Sequence, residues 1–181
     1  CHGPDRFGLM GPALLPESLE RLRRPAAAET IAKGRPATQM AAFSPALTKA
    51  EIDALVAYIY TPPATKPVWT EADIRASRVV HRTRDSLPDR PSFTADPMNL
   101  FVVVEAGDQH ASILDGDRFE RLARFPTRYA LHGGPKFSPD GRYVYFASRD
   151  GWISKYDLWN RAMVAEVRAG INTRNAAVSG D

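Results

Sequence analysis

The chain is poor in cysteine and has no long apolar run. Only one of its 181 residues is a cysteine, so no disulfide framework can form within it. No apolar stretch approaches the roughly 18 to 20 residues that a membrane-spanning helix needs. The net charge of +3 and the isoelectric point near 9.2 are modest and scattered, which fits acidic partners but does not indicate nucleic-acid binding.

The single cysteine stands directly before a histidine, as Cys1-His2-Gly3. In the motif C-x-x-C-H, two cysteines bond covalently to a haem and the adjacent histidine becomes an axial ligand of the iron. The pair predicts a c-type haem site whose first cysteine lies upstream of Cys1. The alternative is that the pair is accidental and the chain is an interaction protein. A cysteine three residues before Cys1 would decide between them.

Two downstream loops fit a haem site. The segment Gly11-Pro12-Ala13-Leu14 is placed to return over His2 and offer a backbone carbonyl to its second ring nitrogen, which fixes the orientation of a ligating histidine. Met40 follows in a loop of small residues and is a candidate for the second axial ligand. Its alternative role is to fill the core, as most methionines do.

Short helices are predicted around these loops. Residues 17–24 and 26–33 have helical patterns, and Thr48-Lys49-Ala50-Glu51 is typical of a capping box that opens a third helix. The third helix carries one apolar stripe and ends before Thr61-Pro62-Pro63; its members are Ile52, Leu55, Val56 and Ile59. The region has little apolar mass, and a haem would complete its core.

Residues 62–98 contain many prolines and charges, so they are predicted to be a linker with at most one helical turn near residues 71–80. Strand patterns follow in residues 99–181. An offset of 42 residues superposes Asp108 on Asp150 and Asp115 on Asp157, which indicates an internal repeat. Repeats of about 40 to 45 residues are typical of β-propeller blades. Two blades cannot close a ring of about 4 to 8, so we expect a truncated propeller.

Together these features resemble the cytochrome cd1 nitrite reductase family, which includes a branch acting on dihydro-haem d1. Residues 1–61 resemble the later part of a class I cytochrome c domain. The rest of the likeness lies in SRVVH (77–81), DRP (89–91), YALH (129–132), GRY (141–143), RDG (149–151) and YDLW (156–159). The implied fold is multidomain α plus all-β: a helical cytochrome c-like domain, a linker and the first two blades of a propeller.

The resemblance assigns ligands to two haems. It implies that Cys1, His2 and Met40 hold haem c, and that His132 is the axial ligand of haem d1 or of its dihydro precursor. The repeat places Arg174 one blade after His132, where it would pair with carboxylates of the macrocycle. Gly133-Gly134 would let the backbone approach the ring closely. Arg149-Asp150-Gly151 is expected to be a turn with a local ion pair, and His81 and His110 to be structural.

The implied activity is that of a periplasmic oxidoreductase. It would convert the propionate of dihydro-haem d1 to an acrylate and pass electrons to haem c, with a redox partner and the nitrite reductase as possible partners. The run LHGGPKFSPDGRYVYFASRDGW (131–152) favours this branch over nitrite reduction. Two alternatives stay open: a nitrite reductase, and a c-type electron carrier that uses the propeller for docking. No catalytic base is assigned.

Overall fold

The computed structural model describes residues 1–180, and its helices precede its two sheets. The helices are α1 (Arg24–Lys33), α2 (Lys49–Tyr60) and α3 (Glu71–Ala76). The predicted helix at 17–24 is wrong: there the chain forms a 3-10 turn, Pro16–Ser18, and Arg23 is extended. Pro25 lies in the first turn of α1, where a proline is tolerated, and the clash of its ring with a preceding turn prevents a helix from continuing back through residues 21–23.

Helix α2 begins at the predicted capping box. The Thr48 side chain accepts from the Glu51 backbone N–H, and the Glu51 carboxylate accepts from that of Thr48 at 2.8 Å. At its other end, the buried Arg6 guanidinium donates to three carbonyls, the nearest that of Tyr58 at 2.8 Å. A cation that satisfies the last carbonyls stabilises a helix C-terminus. Helices α1 and α2 enclose a small core of Leu19, Ala27, Val56 and Ile59.

The strands form two antiparallel sheets. The first has the order β2-β3-β4 and the second has the order β1-β8-β7-β6-β5. The strands are β1 (Val79–Val80), β2 (Leu100–Glu105), β3 (His110–Asp115), β4 (Arg121–Pro126), β5 (Lys136–Phe137), β6 (Tyr143–Ala147), β7 (Trp152–Asp157) and β8 (Ala162–Arg168). Both sheets have the up-and-down meander of a propeller blade.

The 42-residue repeat is present in the strands themselves. Strand β7 lies 42 residues after β3 at both ends. The two aspartates that end these strands each accept a hydrogen bond from a backbone N–H of the turn that follows. The Asp115 carboxylate accepts from the Asp117 N–H at 2.8 Å, and the Asp157 carboxylate accepts from the Asn160 N–H at 3.1 Å. The core of the sheets is Ala111, Ile113, Val144, Phe146, Tyr156 and Leu158.

The proline-rich segment is packed on the second sheet. Instead of one helical turn it contains α3 and then β1, whose Val79 lies opposite Glu166 in β8. The Trp69 indole N–H donates to the Arg168 carbonyl at 2.9 Å. The domain boundaries predicted at 61/62 and 98/99 stay a prediction. No helix within residues 1–180 is long and apolar enough to cross a membrane.

Candidate haem-binding sites

The His2 imidazole is oriented by the backbone of the following loop. Its Nδ1 lies 2.8 Å from the Pro12 carbonyl oxygen, which can only accept, so Nδ1–H donates and Nε2 is left for a metal. Two further hydrogen bonds close the loop: the Gly8 N–H donates to the His2 carbonyl at 2.9 Å, and the Gly11 N–H donates to the Cys1 carbonyl at 2.7 Å. This is the backbone contact that the sequence predicts.

His2 is also held by close packing. A Cβ on Gly11 would lie 2.5 Å from the imidazole Cε1, so a larger residue there would displace the ring. Burial lowers the pKa of His2, against the smaller raising effect of its hydrogen bond with Pro12. A neutral imidazole is the form that coordinates a metal. The thiol of Cys1 next to it is exposed.

Met40 lies in a tightly turned loop, residues 35–40, which we call the methionine loop. The Arg35 N–H donates to the Met40 carbonyl at 3.0 Å, and the Met40 N–H donates to the Thr38 hydroxyl at 3.2 Å. Gly34 has φ +70, and a Cβ there would lie 2.5 Å from the Met40 carbonyl oxygen. The loop therefore fixes the backbone of Met40, whose side chain is partly buried. Met40 and His2 make no hydrogen bond to each other within residues 1–180.

His132 shows the same arrangement as His2. Its Nδ1–H donates to the Arg174 carbonyl at 2.7 Å, and its backbone N–H donates to the Ala147 carbonyl at 2.9 Å. The imidazole is exposed, and Nε2 has no hydrogen-bond partner among the described residues. The structure thus places the His132 ring against the backbone of Arg174, and the predicted role of the Arg174 side chain stays a prediction.

The two glycines after His132 have different surroundings. A Cβ on Gly133 would lie 2.5 Å from the Arg174 carbonyl oxygen, so the chain itself fills that space. Gly133 is therefore needed by the fold itself, and the expectation that Gly133-Gly134 lets the backbone approach a macrocycle stays a prediction. Gly134 has φ +71 and nothing described within 4 Å of its Cβ position, so its face is open.

Arg149 is a candidate that the sequence reasoning placed in a turn with a local ion pair. That ion pair is absent among residues 1–180: the buried Asp150 carboxylate accepts from the Ser148 hydroxyl, and the buried Nε of Arg149 has no partner. Burial, then the charges of Arg174 and Arg35, lower the pKa of Arg149. The repeat aligns Arg149 with Gly107, so the blade does not require an arginine there. The difference between glycine and arginine at this repeat position is the sequence feature that could have marked Arg149 as a candidate functional residue.

Loops beside both candidate ligands of haem c contact the sheets. The Arg168 guanidinium donates to the Phe7 carbonyl at 2.9 Å, in the loop after His2. The Gln109 amide donates to the Gln39 side-chain oxygen at 3.1 Å, beside Met40. The helical region is therefore docked on both sheets.

His81 and His110 have partners of their own, as expected for structural residues. The His81 Nε2 lies 3.0 Å from the Glu166 carboxylate, which also accepts from Arg128 and Ser154. The His110 Nδ1–H donates to the Asp108 carbonyl at 3.0 Å.

Two family models match the chain in different parts. Residues 1–59 match "Cytochrome C oxidase, cbb3-type, subunit III", and residues 95–181 match "Cytochrome D1 heme domain". The predicted fold class, a cytochrome c-like region followed by propeller blades, is confirmed by these matches and by the two sheets.

Three curated relatives share part of this organisation. The chain is 65% identical over 181 residues to dihydro-heme d1 dehydrogenase of Pseudomonas aeruginosa, covering 100% of the chain and 37% of that protein. It is 29% identical over 142 residues to nitrite reductase of Stutzerimonas stutzeri, covering 77% of the chain and 25% of that protein. It is 36% identical over 84 residues to Protein NirF of Pseudomonas aeruginosa, covering 46% and 21%.

A solved structure extends the likeness to three dimensions. The structure described as "Dihydro-heme d1 dehydrogenase NirN in complex with DHE" superposes with a TM-score of 0.88 at 65% identity, covering 100% of this chain and 39% of that one. The chain thus spans less than two fifths of the curated relatives that it matches. With a cytochrome c region and a cytochrome d1 haem region in one polypeptide, the chain belongs to the cytochrome cd1 family.

Proposed function

We propose that this protein is a dihydro-haem d1 dehydrogenase, which oxidises a propionate of its tetrapyrrole substrate to an acrylate and passes the electrons to a covalently attached haem c. The observation that carries the proposal is the 65% identity along all 181 residues to dihydro-heme d1 dehydrogenase, against 29% over 142 residues to nitrite reductase. The related structure contains DHE by its description.

His132 fits the axial ligand of the tetrapyrrole. Its Nδ1–H is engaged by the Arg174 carbonyl at 2.7 Å, so Nε2 is presented to a metal in a fixed ring orientation. The exposed ring and the open face of Gly134 leave space for a flat macrocycle beside it. A histidine held in this way orients the substrate before any chemistry takes place.

Arg149 and Arg174 fit the carboxylates of the substrate. Neither guanidinium pairs with a carboxylate within residues 1–180, and the Nε of Arg149 is buried without a partner. A planar guanidinium binds a carboxylate through two parallel hydrogen bonds. Their pairing would fix the rotation of the ring about the His132 axis and so select the side chain that reacts.

Cys1, His2 and Met40 fit the attachment and ligation of haem c. The exposed Cys1 thiol is accessible for a thioether bond, and the Pro12 carbonyl leaves the Nε2 of His2 for the iron. Met40 on the methionine loop would supply a thioether sulfur, and histidine–methionine ligation raises the reduction potential. When bound, haem c would accept electrons one at a time.

The reaction removes two electrons and two protons from the propionate, so each turnover needs two one-electron transfers and an external redox partner. The proton-abstracting group is not assigned among the described residues. Because c-type haem is attached outside the bacterial cytoplasm, we place the protein in the periplasm, where nitrite reductase is a candidate recipient of the product. The location and the recipient are assigned from the likeness to the family, and no contact in the structure supports them.

The test is product analysis with the full-length, haem c-loaded protein. Anaerobic incubation with dihydro-haem d1 and an electron acceptor should yield a macrocycle lighter by two hydrogens in mass spectrometry. The proposal is wrong if the macrocycle is unchanged and the protein reduces nitrite once it is supplied with mature haem d1. Binding of the macrocycle with neither reaction would identify an electron carrier or a binding protein instead.

A further inference from the structure

The turn between β2 and β3, residues 106–109, contacts the methionine loop. The Gln109 amide donates to the Gln39 side-chain oxygen at 3.1 Å. In the same turn, the Cβ position of Gly107 lies 2.9 Å from the Ala37 carbonyl oxygen, so the loop packs where the turn has no side chain. Gln39 directly precedes Met40, and the contact therefore reaches the loop beside the proposed axial ligand.

Gln109 has an unusual backbone for its residue type. Its φ is +64, in the left-handed region that favours glycine and that costs other residues free energy. The 42-residue repeat aligns it with Gly151, which has φ +94. The two turns are held alike, because the Gln109 carbonyl accepts from the Thr127 N–H and the Gly151 carbonyl accepts from the Ala169 N–H, both at 2.8 Å. The blade thus requires a left-handed residue at this position, and the first blade has a strained glutamine where the second has glycine.

The side chain of this strained glutamine is used for the contact with the methionine loop. Within residues 1–180 the half-buried Gln109 amide has no hydrogen-bond partner other than Gln39. The facing residue Ala37 is also left-handed, with φ +56. Strained backbone persists only where the surrounding structure holds it, and it is concentrated at functional sites. Both strained residues lie where the propeller meets the loop that bears Met40.

The equivalent turn of the second sheet contacts the loop of the other proposed ligand. The Cβ position of Gly8 lies 3.3 Å from both Cα and Cβ of Asp150, which the repeat aligns with Asp108. The Gly8 N–H donates to the His2 carbonyl at 2.9 Å. Equivalent turns of consecutive blades therefore contact the two proposed ligand loops of haem c, one turn for each loop.

We infer that the β2–β3 turn of the propeller positions Met40 as an axial ligand of haem c, with Gln109 as the positioning residue that acts through Gln39. This inference rests on the proposed function. The Met40 N–H already donates to the Thr38 hydroxyl at 3.2 Å, so anchoring the neighbouring Gln39 on the sheet restricts the movement of the whole loop. A ligand whose movement is restricted before it binds loses less entropy on binding, so the methionine binds the iron more firmly.

The test measures how firmly methionine is bound to the iron in the full-length, haem c-loaded protein without the tetrapyrrole. Imidazole competes with methionine for the oxidised iron, and the methionine–iron charge-transfer band reports its displacement. Gln109→Gly removes the side chain and relieves the backbone strain, so the midpoint of thermal unfolding should be unchanged or higher. Imidazole should nevertheless bind about fivefold more tightly, as expected for the loss of one hydrogen bond that holds the loop.

Phe119→Gly is the matched control, because Phe119 is also left-handed, with φ +58, and its ring stacks on Phe101 in the same sheet. It should keep the imidazole affinity of the wild type. Gln39→Ala should repeat the fivefold change from the side of the loop. The double variant Gln39→Ala/Gln109→Gly should show no further change, because both substitutions remove the same contact.

The inference is overturned if Gln109→Gly binds imidazole like the wild type, if Phe119→Gly shows the same gain in affinity, or if the effects of the two single variants add. Each of these results would leave the proposed haem c ligands as they are. A wild type without the methionine–iron band would instead contradict the proposed ligand Met40, and the inference with it.

Discussion

The Nδ1–H of His132 donates to the carbonyl oxygen of Arg174, and the two residues stand 42 positions apart, one repeat of the sheet. Equivalent positions of consecutive blades are therefore in direct contact, and each orients the other. The contact leaves the Nε2 of His132 for a metal and fixes the backbone of an arginine whose side chain has no carboxylate partner among the described residues. One hydrogen bond thus joins the proposed axial ligand to the backbone of Arg174.

Removal of the His132 imidazole should abolish ligation at this site without unfolding the sheet. We expect His132→Ala to weaken binding of dihydro-haem d1 by at least about tenfold and to change the spectrum of its iron. The exposed side chain makes little contribution to the core, so thermal unfolding should change little. The control His110→Ala, in strand β3, should bind normally. An unchanged iron spectrum in His132→Ala would remove the ligand assignment.

Crowding at Gly11 should disturb the haem c site. In Gly11→Ala the new Cβ would meet the His2 ring at 2.5 Å, so the imidazole must move away from its bond to Pro12. We expect a loss of roughly 1–3 kcal/mol in the free energy of unfolding, as for overpacked sites, and a shifted haem c potential. Gly170→Ala is the matched control, because nothing described lies within 4 Å of its Cβ position. Equal behaviour of both variants would show that Gly11 does not hold His2.

The Glu166 carboxylate should make the second sheet sensitive to acid. Burial alone would raise the pKa of Glu166, but hydrogen bonds from Arg128, His81 and Ser154 hold it below its usual value. A carboxyl whose pKa is lower in the folded state stabilises the fold above its unfolded pKa of about 4.3, and that stability is lost as pH falls through the folded pKa. Unfolding free energies measured between pH 7 and pH 3 should show this loss.

Glu166→Gln should remove most of that acid-dependent loss. At pH 7 it should cost roughly 2–4 kcal/mol, since Arg128 keeps its charge but loses its partner and is itself partly exposed. The control Glu20→Gln changes an exposed carboxylate that makes no ion pair within residues 1–180, and it should leave the acid dependence as it is. An unaltered pH profile in Glu166→Gln would contradict the role of this carboxylate.

The Arg168 side chain should hold the helical region on the second sheet. It donates to the Phe7 carbonyl at 2.9 Å, and its guanidinium lies 4.8 Å from the centre of the Trp69 ring. Arg168→Ala should cost about 1–2 kcal/mol, as for a charged hydrogen bond in a half-buried site. It should also speed proteolytic cleavage within residues 62–98. Arg118→Ala, on an exposed turn, serves as the control; equal cleavage rates would show that Arg168 does not dock the two regions.

The parts of the fold that the sequence predicts are those with local causes. The capping box at Thr48 and Glu51 joins neighbours along the chain, and the repeat that aligns Asp115 with Asp157 rests on turns that each aspartate closes by itself. The contact of His2 with Pro12 likewise spans only ten residues. Such contacts can be predicted from the sequence because residue type and spacing determine them.

The parts that the sequence does not predict depend on long-range packing. Strand β1 forms because Val79 and Val80 meet the edge of β8, some 85 residues later. The methionine loop contacts the first sheet through Gln39 and Gln109, which lie 70 residues apart. No spacing of residues in the sequence predicts either contact. The contact of the methionine loop with the first sheet, unlike the candidate ligand His132, therefore had to be found in the structure.

The most direct test of the account is one anaerobic titration of the full-length, haem c-loaded protein with dihydro-haem d1, following the macrocycle spectrum and the haem c reduction bands together. The account predicts that the macrocycle is converted while haem c is reduced in the same time course, and that His132→Ala shows neither change. Conversion without reduction of haem c, or binding with no conversion in the wild type, would contradict it.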